Sequence, residues 1–232
     1  MKVIAQVPML AVTLMLAGGA VTAASAQSAP APAMKVGDRW VYDVKSGFGL
    51  SVISYQETRE VTAVGGGGFK VTVTGKTAEG KDFTRVEDFS GPGALRSGTV
   101  CLDEMRRYPT PLQRVAFPIA PGQRSSKWVD VIGESGAKGQ INYSFQTRSW
   151  SNMTTPAGAF DAIRVDVLIT LDDSTPFRNA TNCNFTFWYS PAVRGTVRER
   201  RAAQFMETGS MQQVTPVLNA LYELASFTPG KP

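Results

Sequence analysis

The chain has 232 residues, with 24 Lys and Arg against 19 Asp and Glu, a formal net charge of +5, two cysteines and no histidine. This small, scattered positive excess does not favour nucleic acid as a partner, because nucleic-acid binding needs a dense basic face. A chain without histidine cannot use Ser-His-Asp or Cys-His catalysis, and it cannot ligate zinc through imidazole.

The first 26 residues have the order of a secretory signal peptide. Lys2 gives a basic start, residues 3–17 are almost continuously apolar, and Ala24-Ser25-Ala26 forms a small-x-small cleavage site. A transmembrane anchor is the alternative, but the apolar run is shorter than the ~20 residues that cross a bilayer. The exit region Leu16-Ala17-Gly18-Gly19 has no cysteine, so no lipid anchor is expected. We therefore predict a periplasmic or secreted protein whose net charge is +4 once Lys2 is removed.

Beyond the signal, residues 27–34 predict a Pro/Ala-rich linker that is extended and has nothing to pack against. Residues 35–232 predict one domain, because nothing within them resembles an interdomain linker and their number suffices for one core. No transmembrane segment is predicted in the mature chain. The oligomeric state is left open.

Alternating apolar and polar residues predict β-strands along this domain. Four glycines at 65–68 predict a hairpin loop, because a strand rather than a phosphate-binding helix follows them at Phe69. Prolines predict irregular edge loops at 108–111 and 117–122. Residues 183–201 predict a hairpin with aromatic residues on one face, and 203–211 predict at most one helical turn. The strand-like runs are 36–44, 50–64, 69–74, 82–89, 100–101, 128–132, 141–148, 163–171, 183–190, 193–201 and 218–227.

The resulting fold class is all-β, a single domain of about ten antiparallel strands. Short turns between successive strands favour a meander. A sheet of this many twisted strands must curl, so we predict a curled meander sheet or a half-open β-barrel.

The two cysteines, Cys101 and Cys183, predict a disulfide, because an exported chain folds in an oxidising compartment. Closing a separation of 82 residues would stabilise the fold by about 4 kcal/mol in the chain-entropy model. The alternative is two buried thiols too far apart to bond.

Several local patterns occur together over most of the mature chain. They are Val36-Gly-Asp-Arg-Trp-Val-Tyr42, Pro118-Ile-Ala-Pro-Gly122 ahead of Trp128, Thr155-Pro-Ala-Gly-Ala-Phe-Asp-Ala162, Trp188-Tyr-Ser-Pro-Ala-Val-Arg-Gly-Thr-Val197 and Tyr222-Glu-Leu224. Together they resemble the TapB-like group of exported bacterial β-rich proteins, a domain family of unknown function. The resemblance implies a curved sheet similar to the half-barrel of periplasmic lipoprotein carriers, and it supplies no catalytic residues. Arg194-Gly195 departs from the pattern, since related sequences tend to place glycine directly after the proline-containing turn.

The acidic doublets do not predict catalytic chemistry or a metal site. Adjacent residues of a strand point to opposite faces, so Glu87-Asp88, Asp103-Glu104 and Asp172-Asp173 are more typical of solvated turns than of a glycosidase pair. The loop at Asp172 could hold calcium but offers too few spaced acidic ligands. We predict no catalytic residues, no metal and no cofactor.

Two sets of side chains are candidates for binding. Trp40, Trp128, Trp150 and Trp188 are typical of core or rim packing, and alternatively line a cavity for an apolar ligand. Arg194, Arg198, Arg200 and Arg201 predict a solvated strand face, or alternatively a contact with anionic lipid headgroups.

The leading functional hypothesis is a non-enzymatic protein that binds an apolar or lipid-like ligand, or a lipidated partner, in the concave face of its sheet. The alternative is a structural or interaction protein of the cell envelope whose core is filled by its own side chains. An enzyme ranks third, since it would need clustered carboxylates of perturbed pKa in a cleft.

Overall fold

The computed structural model describes residues 27–77, 79–208 and 213–231, and these form twelve β-strands and one short 3₁₀ turn. The predicted signal peptide, residues 1–26, lies outside the described residues. The strands are β1 (Arg39–Ser46), β2 (Ile53–Gly65), β3 (Gly68–Lys76), β4 (Asp82–Gly91), β5 (Ala94–Gly98), β6 (Arg106–Gln113), β7 (Arg124–Gly133), β8 (Lys138–Thr155), β9 (Gly158–Thr170), β10 (Asn182–Ser190), β11 (Gly195–Met206) and β12 (Val214–Thr228).

Each strand pairs antiparallel with its neighbours in sequence, and β1 pairs with β12 to close the barrel. The all-β, single-domain prediction is confirmed, but the number of strands is twelve rather than about ten, and the barrel is closed rather than half-open. The number of strands predicted from the sequence was too low because β6, which contains prolines, was missed. The barrel was predicted as half-open because the sequence pattern held no information on the pairing of β1 with β12. The described residues contain no helix long and apolar enough to cross a membrane.

The predicted hairpins are confirmed at both places. Gly66 and Gly67 connect β2 to β3 with φ of 58° and 78°, as a two-residue turn of positive φ requires. Ser190 ends β10, and a 3₁₀ turn at Pro191–Val193 leads to Arg194, whose φ of 52° is left-handed. The expected helical turn at 203–211 is wrong for its first four residues, because β11 continues to Met206.

One core fills the barrel, formed by the alternate residues of the strands that point inward. On β10, for example, Cys183, Phe185, Phe187 and Tyr189 are buried while the residues between them face outward. Cys183 bonds to Cys101 in the β5–β6 loop across a Cα–Cα distance of 6.1 Å, so the predicted disulfide is present.

The barrel wall is weakly paired at one joint, which we call the seam. Strands β6 and β7 pair only at Arg106–Gly133 and Arg107–Ile132, whereas β7 and β8 pair over nine positions. Residues 108–111 were expected to be a loop, and this is wrong because they lie within β6. The two prolines still limit the pairing of β6, since Pro109 and Pro111 lack the N–H that a β-ladder needs.

The segment before β1 packs against the barrel. The backbone N–H of Ala29 donates to the carbonyl oxygen of Ile119 at 2.9 Å, and Ile119 returns the bond at 2.8 Å. The indole of Trp150 donates to the carbonyl oxygen of Gln27 at 2.8 Å. The expectation that residues 27–34 have nothing to pack against is therefore wrong, because strands and loops at this end of the barrel provide partners for their backbone.

Candidate binding pocket

Six charged side chains lie inside the barrel, where the alternation of the strands places them among apolar residues. They form three pairs of opposite charge at positions i and i+2 of one strand, which share a face. Glu57 and Glu199 are almost fully buried, with 1% and 2% of their side chains exposed. The pairs are Glu57 with Arg59 on β2, Arg85 with Glu87 on β4, and Glu199 with Arg201 on β11; we call these six residues the interior ion cluster.

Glu199 joins two strands of this cluster. Its carboxylate accepts from Arg201 Nε at 2.9 Å and from Arg201 Nη2 at 3.1 Å. Its Oε2 also lies 3.6 Å from Nη2 of Arg59 on β2. The Arg59 guanidinium stands 4.6 Å from the ring centre of Tyr42, and that of Arg201 stands 4.6 Å from the ring centre of Tyr222. Aromatic faces thus supplement the carboxylates in balancing the buried cations.

The electrostatics of the cluster keep Glu199 ionised. Burial alone would raise the pKa of Glu199, but Arg201 and Arg59 outweigh burial and lower that pKa to about 2. Burial raises the pKa of the Tyr42 hydroxyl well above the ordinary value and also raises the pKa of the Tyr222 hydroxyl. At neutral pH the glutamate is therefore ionised and the two phenols are neutral.

A cavity of about 160 Å³ opens above the cluster, at the end of the barrel where β1 begins and β10 turns into β11. We call it the pocket. Its walls are mostly aromatic and aliphatic, and Pro32 and Met34 of the N-terminal segment form one side. The apolar lining from the barrel includes Trp40, Phe69, Val71, Phe89, Val115, Phe117, Phe187 and Tyr189.

Four charged residues also line the pocket. Arg59 and Glu87 come from the interior ion cluster, Arg114 comes from the residue after β6, and Arg194 comes from the β10–β11 turn. Arg194 forms an ion pair with the buried carboxylate of Asp38. In the part of the chain that the structure describes, the Arg114 guanidinium has no carboxylate partner. The Nη2 atom of Arg59 is buried and makes no hydrogen bond within the described residues.

Of the four tryptophans predicted as cavity candidates, Trp40 is the one that lines the pocket. Its indole donates to the carbonyl oxygen of Val193 at 2.8 Å and its ring stacks on Phe227. Trp128 is 64% exposed on the outside of β7, at the seam. Trp188 pairs laterally with Arg164 and Arg198 on the outer face of β10.

Trp150 contacts the N-terminal segment at Gln27 and does not line the pocket. Trp128, Trp150 and Trp188 therefore do not line this pocket, although Trp128 lines a separate surface cavity at the seam. For Trp188 the physical reason is strand parity, because Phe187 and Tyr189 on either side of it point inward.

The four predicted surface arginines do not share one face. Arg201 points into the barrel and only 10% of its side chain is exposed, so it is not available to an anionic surface. Arg194 lies at the pocket beside Asp38. Arg198 forms an ion pair with Glu223 on the outer face at 2.5 Å, whereas Arg200 is exposed. The prediction of one solvated arginine face is thus corrected by the inward register of Arg201 and by the turn at Arg194.

The prediction of a solvated turn is wrong for Glu87-Asp88, because both residues lie within β4, where Glu87 points inward and Asp88 outward. Asp173 pairs with Arg178 and accepts from the Thr181 backbone N–H at 2.7 Å, so its charge organises the β9–β10 loop. Among the described residues, no three His, Cys, Asp or Glu side chains lie close enough together to hold a metal ion.

The interior ion cluster was missed by reasoning from the sequence, although a signal was present. Each of its three pairs is an acidic and a basic residue separated by one position in a strand, within a row of apolar inward residues. Glu199, for example, follows buried Val197 and precedes buried Ala203 on the same face. An opposite-charge pair in an apolar row indicates burial, because only paired charges are tolerated there.

Comparisons with known proteins identify neither a family nor a curated relative, since no family model and no curated protein matches the chain. The solved structures that are similar in outline include the following three. A candidate lipoprotein of Parabacteroides distasonis is 15% identical, with a TM-score of 0.47 over 87% of this chain and 100% of its own. A candidate exported protein of Bacteroides fragilis with a YmcC-like fold is 15% identical, with a TM-score of 0.44 over 86% of this chain and 99% of its own.

The third is the hypothetical lipoprotein YmcC of Escherichia coli. It is 12% identical, with a TM-score of 0.40 over 83% of this chain and 85% of its own. We draw no function from a likeness of this degree.

Proposed function

We propose that the protein is an exported, non-enzymatic binding protein that takes the apolar part of a lipid-like ligand, or of a lipidated partner, in the pocket. The observation that carries this proposal is the apolar, aromatic-walled cavity at one end of the barrel. Convergent apolar walls with a few polar groups are typical of small-molecule sites.

The size of the pocket limits what it takes. Its volume of about 160 Å³ is below the ~300–1,000 Å³ of sites that enclose drug-sized ligands. A short stretch of acyl chain or one apolar ring fits such a space, whereas a whole lipid does not. Pro32 and Met34 form one wall, so the space grows if the N-terminal segment moves.

A non-enzymatic role is supported by the kind of groups present. The sequence has no histidine, and every perturbed pKa in the described part of the chain lies further from neutrality than the ordinary value of that group. General acid–base catalysis favours the opposite, a pKa tuned toward the working pH. Export is supported by the order of residues 1–26 and by the paired cysteines.

A structural or interaction protein of the envelope is the second candidate, and a different observation favours it. The interior ion cluster and its tyrosines fill the middle of the barrel, so most of the concave face is not free for a ligand. In this case the pocket would be a packing defect at the barrel's end, and function would lie on the outer surface.

The test begins with protein purified gently from its native host, followed by organic extraction and mass spectrometry of the extract. Uptake of cis-parinaric acid by delipidated protein is then measured by fluorescence. Val71→Phe fills the pocket from a buried position, whereas Thr74→Phe adds the same ring on the exposed face of the same strand. We expect uptake by the wild type and by Thr74→Phe, with at least a tenfold loss in Val71→Phe.

Absence of both co-purified lipid and probe uptake would overturn the proposal and favour the envelope-interaction role. Export is tested separately by cell fractionation and by N-terminal sequencing of the mature protein, which we expect to begin at Gln27.

A further inference from the structure

The charges around the pocket do not balance. The interior ion cluster holds three arginines and three glutamates, and Arg194 at the rim is paired with Asp38. Arg114 adds one more guanidinium to the pocket wall. The Arg114 guanidinium is therefore one positive charge in excess, at the boundary between the apolar walls and the cluster.

The position of Arg114 is fixed by its backbone. Its N–H donates to the carbonyl oxygen of Gly93 at 2.7 Å, and its own carbonyl oxygen accepts from the buried Tyr143 hydroxyl at 3.1 Å. The residue is thus held between the β4–β5 turn and the barrel interior, with its side chain on the pocket wall beside Arg59 and Glu87. Glu87 itself is engaged by Arg85 at 3.2 Å and by the Thr99 hydroxyl at 3.4 Å.

Arg59 adds a second guanidinium to the same wall. Its Nε is bound to Glu57 at 2.7 Å, and its buried Nη2 lies 3.6 Å from Glu199. The charge of Arg59 is therefore balanced by carboxylates, whereas the charge of Arg114 is not. The Arg114 guanidinium, with Arg59 beside it at the inner end of an apolar pocket, matches an anionic group attached to an apolar one.

We propose that the ligand is an anionic amphiphile whose carboxylate or phosphate binds Arg114, beside Arg59, while its apolar chain contacts the aromatic walls. This inference rests on the proposed function and names the chemical class of its ligand. The carboxylate of a fatty acid and the phosphate of a lipid headgroup share this chemistry, and the experiment separates them.

Isothermal titration calorimetry with four probes of equal chain length tests the inference: dodecanoate, dodecyl phosphate, 1-dodecanol and dodecyltrimethylammonium, each below its aggregation limit. We expect an anion to bind at least tenfold tighter than dodecanol, a difference of about 1.4 kcal/mol, and the cation to bind more weakly still. The anion that binds more tightly, dodecanoate or dodecyl phosphate, identifies the source class.

Arg114→Gln removes the spare charge, and Arg124→Gln makes the same change of net charge at an exposed position of β7. We expect Arg114→Gln to weaken anion binding about tenfold and to change dodecanol binding less than twofold. Arg124→Gln should change neither, and Arg114→Lys should restore part of the loss. Unchanged thermal unfolding of the variants shows that the fold is retained.

Equal affinity for dodecanoate, dodecyl phosphate and dodecanol would overturn the inference while leaving the proposed function standing. Equal weakening by Arg114→Gln and Arg124→Gln would also overturn it, because the effect would then be general charge attraction. Failure of all four probes to bind would overturn the proposed function together with this inference.

Discussion

Replacing Glu199 by Gln tests whether the interior ion cluster holds the barrel together. The substitution keeps the size of the side chain but removes the charge that faces Arg201 at 2.9 and 3.1 Å and Arg59 at 3.6 Å. Removing one partner of a buried ion pair costs about 3–5 kcal/mol, because the other charge stays buried and unpaired. We expect the free energy of unfolding to fall by this amount at pH 7.

The pH dependence gives a second, independent magnitude. The pKa of Glu199 is about 2 in the folded chain and 4.5 without its neighbours, which corresponds to a stabilisation on the order of 3 kcal/mol. Because the folded pKa is the lower one, this stabilisation is complete above pH 4.5 and is lost as the pH falls toward 2. Glu199→Gln removes a titrating group, so its stability should fall less steeply over that interval than that of the wild type.

The assay is urea unfolding followed by circular dichroism at a series of pH values between about 2.5 and 7. Glu223→Gln is the matched control, since Glu223 pairs with Arg198 on the outer face with 28% of its side chain exposed. An exposed pair of this kind contributes about 0–1 kcal/mol. A Glu199→Gln protein within about 1 kcal/mol of the wild type at pH 7, or with the same acid slope, would refute the reasoning.

Three further predictions concern the disulfide, the pocket and the N-terminal segment. Replacing Cys101 and Cys183 by Ser should lower the free energy of unfolding by about 4 kcal/mol, because the cross-link closes a long loop; reduction of the wild type with dithiothreitol should give the same loss, and a loss below about 1 kcal/mol would contradict it. Trp40→Phe should abolish the change in tryptophan fluorescence on binding of the dodecyl probes, while Trp128→Phe should keep it, since Trp40 lines the pocket and Trp128 does not. Deleting residues 27–33 should leave the barrel folded and accelerate probe uptake in stopped-flow fluorescence, because Pro32 is part of the pocket wall; an unchanged uptake rate would show that the segment does not restrict access.

Local patterns were sufficient to predict the regular strands and their faces, but not β6. The alternation from Phe69 to Val73 and from Ile163 to Leu171 is visible in the sequence, and those residues are buried as expected. The turn at Gly66-Gly67 was equally readable, because two residues of positive φ need glycine. Short connections also made the antiparallel meander predictable.

Closure of the barrel and the position of the pocket could not be read in the same way. The pairing of β1 with β12 joins residues such as Trp40 and Phe227, and no local pattern encodes a contact over this separation. The pocket combines residues of six strands, β1–β4, β10 and β11, with residues of the loops at one end of the barrel. A charged residue such as Arg114 or Arg201 looks solvated until its neighbours across the barrel are known. The irregular strand β6 could not be predicted for the same reason. It contains two prolines, and its strand character is evident only from its pairing with β5.

The seam and the disulfide together determine where the barrel can deform. The two residue pairs between β6 and β7 lie at the end of β6 that follows the Cys101 loop, and the Cys101–Cys183 bond connects that loop to β10, on the other side of the seam. The wall is therefore fastened at one end, while Tyr108–Gln113 and Arg124–Val131 run unpaired with each other toward the pocket. Elastic compliance is therefore concentrated at the pocket end of the barrel, where the circumference of the barrel can increase without breaking hydrogen bonds between strands. The pocket and the weakest part of the wall thus form one mechanical unit.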